Sequence, residues 1–274
     1  MKRVILYILI LISISGCEKQ SNWQIKSNTS KQIVVDGIIT GGVSKIQTLT
    51  LTFPVSELNA APVPVTGAIM QISDEDSVFQ MTEQPAGSGI YSSTRPFQAR
   101  AGKNYSLLIF YGDQVISAKS AMVPGSIFNF LVWIKDEDSG LFKISWVASS
   151  FSTEPPAMWE VLLDWSKVPG YQQTDSTKCK ARLLFYTLST LDVSEIFAPS
   201  VEKITFPAGT TIKETRYSLT PAYAEFIREM LLETQWQGGL FNSVPADVPT
   251  NLSAGGDGFF AVCGVYYIIQ TVPQ

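Results

Sequence analysis

The chain of 274 residues contains no histidine. That absence removes the Ser-His-Asp and Cys-His nucleophile systems together with histidine-based zinc sites. A metal site would need carboxylates, and a catalyst would need a carboxylate pair, a lysine or a tyrosine. Charge is scarce too: 16% of residues are charged, 20 Lys plus Arg stand against 24 Asp plus Glu, and no basic run exceeds two residues. A net charge of -4 without a basic patch argues against nucleic acid as a partner. Cysteine is limited to Cys17, Cys179 and Cys263. Beyond the first residues, no segment reaches the roughly eighteen uncharged apolar residues of a membrane-spanning helix. The final apolar run, Phe259 to Ile269, has the length of a buried strand. No metal or other cofactor is expected, and no catalytic residue is assigned.

The most informative stretch that is present runs from Met1 to Cys17. Lys2 and Arg3 make a short cationic start, Val4 to Ile14 is almost unbroken apolar sequence, and Ser15-Gly16 precede Cys17. This is the layout of a secretory signal peptide, and its apolar run of roughly eleven residues is too short to cross a bilayer of about 30 Å. Its end resembles the lipobox of bacterial lipoproteins, in which the chain is cut before the cysteine and the sulfur receives a diacylglyceryl group. Lipid attachment is therefore expected at Cys17, with acyl chains sufficient for stable anchoring. Residues 18–30 are polar and rich in Ser and Asn, as in a flexible stalk.

With 45% hydrophobic and 11% aromatic residues, the remainder has ample material for a packed core and is long enough for two domains of roughly 100 to 150 residues. From Lys31 to Val123, short strands and turn residues alternate. Leu49, Leu51 and Phe53 interleave with Thr48, Thr50 and Thr52, and Tyr105, Leu107, Ile109 and Tyr111 share one face. Seven short strands in about ninety residues suggest an immunoglobulin-like β-sandwich over 31–123. Pro124-Gly125 marks the expected border of a second β-rich domain over 124–274. There Phe128 to Ile134 and Leu141 to Val147 flank the acidic turn Lys135 to Gly140 as a hairpin. Thr220-Pro221 reads as a helix start, and Tyr223, Phe226, Ile227, Met230 and Leu231 recur at helical spacing, so one amphipathic helix is expected over 221–236. Phe259 to Thr271 closes the chain as a central strand. The fold class expected is all-β with this single helix.

Several segments then resemble, in order, an uncharacterised family of Bacteroidota outer-membrane lipoproteins, the domain of unknown function 4249. The matching pieces are Cys17, Ile33 to Thr40, Val65 to Asp74, Gly89-Ile90-Tyr91, Ala101 to Leu107, and Asn251-Leu252-Ser253 before Gly258-Phe259-Phe260. Members are often encoded beside TonB-dependent receptors of the SusC type. The resemblance implies an outer-membrane location, periplasmic or cell-surface, and such a receptor as partner; it implies no chemistry.

Candidate sites are few. Asp136, Asp138 and Gly140 have the spacing of a calcium loop, but the twelfth position is Val147 instead of glutamate, and this turn and Asp74-Glu75-Asp76 read as solvated hairpin tips. Cys179 and Cys263 are open to two readings: one disulfide, or two separately buried thiols. Trp165, Tyr171 and Trp236 are candidates for ligand or partner contact, either as a stacking platform or as core. The long connection from Gln237 to Asp257 is a further candidate surface. Three functions compete: a non-enzymatic accessory subunit of a TonB-dependent receptor, a structural or adhesive surface lipoprotein, and a two-carboxylate hydrolase.

Overall fold

The structure, a computed structural model, describes residues 32–55, 60–147, 155–172, 175–188, 204–234 and 248–273. The leader with Cys17, the stalk and Trp236 lie outside the described residues. Eight strands occupy the first half: β1 (Ile33–Thr40), β2 (Thr48–Phe53), β3 (Val63–Pro64), β4 (Ile69–Ser73), β5 (Val78–Glu83), β6 (Ile90–Ser93), β7 (Asn104–Tyr111) and β8 (Gln114–Ala121). The alternation in β2 and β7 does what its period dictates: Leu49, Leu51, Tyr105, Leu107 and Ile109 turn inward onto one core with Ile33, Val35, Met70, Ile72 and Ile116. The pairing path β1-β2-β6-β5 followed by β4-β7-β8 is the strand order of an immunoglobulin-like sandwich. Its tyrosine corner is present as well. Buried Tyr105, at the start of β7, accepts the Arg100 N–H on its hydroxyl at 2.9 Å, so the chain entering β7 is tied to its own strand. The two-residue β3 pairs with β2 alone among the described strands, an edge position that tolerates Pro64.

The second half contains β9 (Val132–Lys135), β10 (Phe142–Trp146), β11 (Ala157–Asp164), β12 (Lys180–Thr187), β13 (Thr205–Phe206), β14 (Thr211–Ser218), helix α1 (Pro221–Thr234) and β15 (Gly256–Thr271). The acidic hairpin forms as expected between β9 and β10, and β13 adds to it as a small separate sheet. Residues Leu131, Trp159, Val161, Leu163, Phe206 and Ile212 make a core on one side of the main sheet. On α1, Ala224, Ile227 and Leu231 pack with Met158, Phe259, Ala261 and Cys263 in another. Thr220 caps the helix by accepting the Tyr223 N–H on its side chain at 3.2 Å, and Pro221 takes the first helical position, where no N–H is needed. The fold is mainly β with one helix near its C-terminal end.

Strand β15 belongs to both halves. Gly256 to Cys263 pairs in parallel with β1, and Gly264 to Thr271 pairs antiparallel with β14, so the last strand lies centrally in the path. At the changeover, Val123 bridges Cys263, and Gly264 donates its N–H to the Val123 carbonyl at 2.8 Å. The connector Val123-Pro124-Gly125 crosses so closely that a Cβ on Gly264 would lie 2.1 Å from the Gly125 nitrogen. Only glycine fits there. Asn251 closes the other side of the sandwich. Its Nδ2 donates to the carbonyls of Lys119 on β8 and Phe260 on β15, at 3.0 and 2.8 Å, and its Oδ1 accepts the Phe260 N–H. The Pro124-Gly125 border read from sequence thus crosses the middle of a shared strand, and Gln32–Gln274 forms one compact unit.

Candidate ligand cleft

At one end of the sandwich, three connections surround a cleft of about 390 Å³: Ser44 from β1–β2, Asp74, Asp76 and Ser77 from β4–β5, and Arg95 to Arg100 from β6–β7, with Phe79 of β5 beneath them. That volume lies at the small end of the roughly 300–1,000 Å³ range of small-molecule sites. The floor is rigid. Phe79 and Phe97 are buried and stacked, with centroids 3.9 Å apart, and the Arg95 guanidinium carbon lies 4.9 Å above the Phe79 ring. The loop carrying Arg95 is fixed from below by Gln47, whose Nε2 donates to the Phe97 carbonyl at 2.9 Å.

The charges on the two walls are in different situations. Asp74 accepts the N–H groups of Asp76 and Ser77 at 2.9 and 2.7 Å and so closes its own turn. Glu75 and Asp76 pair with Lys103 at 2.7 and 3.1 Å, which pushes the lysine up to about 12. Arg95 and Arg100 have no carboxylate within ion-pair distance among the described residues; both are exposed. Neither arginine is among the candidates read from the sequence. The signal was there in Thr94-Arg95-Pro96-Phe97-Gln98-Ala99-Arg100, which holds two of the chain's six arginines around one phenylalanine.

The residues singled out from sequence lie elsewhere. Trp165 and Tyr171 come together with Cys179 in the connection between β11 and β12: the Trp165 N–H donates to the Cys179 carbonyl at 2.9 Å, and the Cys179 thiol sits 3.9 Å from the Tyr171 carbonyl. Trp165 packs its ring on the second-half core. Cys179 and Cys263 are free, separately buried thiols, and burial pushes the Cys263 thiol up to about 12. The Asp136 turn is closed from within, by Ser139 at 2.8 Å and Lys143 at 3.4 Å, which lowers the Asp136 carboxyl. Among the described residues no group of three or more His, Cys, Asp or Glu could hold a metal ion.

The model of the family described as a domain of unknown function, DUF4249, matches residues 19–267. The chain belongs to that family. No curated protein matches it. In this DUF4249 chain the match covers the sandwich, the cleft and all but the last four residues of β15.

One further spot is electrostatically unusual. Glu214, near the middle of β14, is fully buried; its Oε2 accepts the Leu131 N–H at 3.1 Å, while Oε1 has no hydrogen-bond partner. Burial raises its carboxyl to about 7, against a single opposing hydrogen bond. Arg216, two residues on, is equally buried and donates to Ser126, Ser218 and the Pro155 carbonyl, with its guanidinium 5.5 Å from the Trp159 ring. These groups hold the connector before β9 against the main sheet.

Proposed function

We propose that this DUF4249 member is a non-enzymatic, lipid-anchored outer-membrane protein that acts as an accessory or binding subunit of a TonB-dependent nutrient-uptake receptor. The observation that carries this reading is the leader: a cationic start, an apolar run too short to span a bilayer, and Ser15-Gly16-Cys17 at its end. It supports lipid attachment at Cys17. None of the helices among the described residues is long and apolar enough to cross a membrane. The sandwich supplies a scaffold, and the cleft between its loops supplies a place for a small ligand, as loops on rigid β-scaffolds do.

The experiment is affinity purification of the tagged full-length protein from native outer membranes in mild detergent, with mass spectrometry of co-purifying chains. A TonB-dependent receptor recovered in near-equal amount is expected. Recovery of the protein alone, with intact cells binding glycans through it, would replace this reading with the structural or adhesive one, which the immunoglobulin-like module with its tyrosine corner also suits. Labelling by radioactive palmitate should disappear in Cys17→Ala; labelling that persists would remove the anchor from the account.

A further inference from the structure

We propose that the cleft between the β1–β2, β4–β5 and β6–β7 connections is a binding site for a small anion bearing a carboxylate or phosphate group, held by Arg95 and Arg100. The inference deepens the binding role proposed above, and its test uses the protein without any receptor, so the two can fail separately.

The charged groups around the cleft are unequally partnered. Six charged groups stand at this end of the sandwich, Asp74, Glu75, Asp76, Arg95, Arg100 and Lys103, and the acidic ones are already engaged. Asp74 spends its Oδ1 on two backbone N–H groups of its own turn, and Glu75 and Asp76 share Lys103. The carboxylates of the β4–β5 wall are therefore engaged within their own turn and by Lys103. Across from that wall, Arg95 and Arg100 line the same cleft, and neither has a carboxylate within ion-pair distance among the described residues. The two guanidinium groups are thus the cleft's unengaged charged donors among the described residues.

The segment that carries the arginines is anchored to the sandwich. Arg95 lies over Phe79, itself stacked on Phe97, and a guanidinium resting on an aromatic face keeps its edge donors free for a ligand. The backbone N–H of Arg100 is tied to the buried Tyr105 hydroxyl, and Pro96 and the buried Phe97 fix the segment between them. Two forked donors on an ordered loop suit bidentate recognition of a carboxylate or phosphate. A small uronic acid and a phosphate ester present that same chemistry.

The test is isothermal titration of the full-length protein in detergent with trigalacturonate, with inorganic phosphate, and with galactose as the neutral control. At least one of the two anions is expected to bind, more weakly as salt rises, and galactose is not. Arg95→Gln and Arg100→Gln should each weaken that binding at least tenfold without moving the thermal midpoint, because both side chains are exposed. Lys119→Gln, an exposed cation on β8, should leave it unchanged. Preference for trigalacturonate assigns a sugar acid, and preference for phosphate assigns a phosphate-bearing ligand. Absence of binding by both anions, equal binding by galactose, or unchanged binding in the two glutamine variants would overturn the proposal.

Discussion

Gln47 and Glu214 are both buried within a β structure, yet their surroundings are opposite. In the sandwich, Gln47 has every side-chain polar atom engaged: Oε1 accepts from the Thr40 N–H and hydroxyl at 3.1 and 3.3 Å, and Nε2 donates to the Thr40 and Phe97 carbonyls at 3.1 and 2.9 Å. In the second half, Glu214 has one donor and an oxygen without a partner. A satisfied buried amide keeps its partners at every pH, whereas a buried carboxyl with one partner is destabilised by desolvation once it ionises. The difference suits what each supports. Gln47 holds the β6–β7 loop that forms the arginine wall of the cleft. Glu214 holds the connector into the small sheet.

The joint between the two regions should be more sensitive than either. Gly264→Ala forces a methyl group into backbone atoms of the crossing connector and is expected to cost at least about 3 kcal/mol, read as a lowered denaturation midpoint for both halves together. A loss confined to one half would separate them. Next comes pH. The Glu214 carboxyl titrates near 7 when folded against 4.5 when free, so the unfolded chain loses its proton first as pH rises. Its contribution is complete below about pH 4.5, declines through the interval and is gone above about 7, a swing of roughly 3 kcal/mol. Glu214→Gln should flatten denaturant midpoints across that window; an unchanged profile would mean that other groups set it.

Gln47→Leu strips three backbone partners and is expected to cost about 2 kcal/mol at every pH. The pH-independence is the sharp part of this prediction, because it is where the two regions should differ. Asn251→Ala removes the clip between β8 and β15 and should cost about 1 to 2 kcal/mol. Amide exchange should accelerate first in β8, and acceleration starting elsewhere would deny Asn251 that role. The smallest effect, about 1 kcal/mol, is expected for Tyr105→Phe, which leaves the ring in the core and orphans only the Arg100 N–H.

The sandwich was readable in the sequence because its buried faces are apolar with period two, as in Leu49-Thr50-Leu51 and Tyr105-Ser106-Leu107. The acidic hairpin and α1 were readable for the same kind of reason, from turn residues and from Thr220-Pro221. Strand β14 was not. Thr211-Ile-Lys-Glu-Thr-Arg-Tyr-Ser carries three charges in eight residues, and burial of Glu214 and Arg216 depends on Leu131, Ser126 and Pro155, which come from distant positions. The joint was hidden for a related reason. Pro124-Gly125 has the composition of a linker, but its glycine is needed for backbone passing over backbone at Gly264. The cleft was half readable: its acidic turn was evident from Asp74-Glu75-Asp76, whereas its two unmatched arginines emerge only once pairing within that turn is known.

The central claim is that β15 makes the sandwich and the second half one folding unit. All six tryptophans lie outside residues 32–123, so fluorescence reports on the sandwich only indirectly. Amide hydrogen exchange of the chain lacking residues 248–274 reads both halves at once. Loss of Asn251 and β15 should abolish protection in β4, β5 and β7 as well as in β11 and β14. Protection in β4, β5 and β7 that matched the full chain would show that the sandwich stands by itself and would contradict the account.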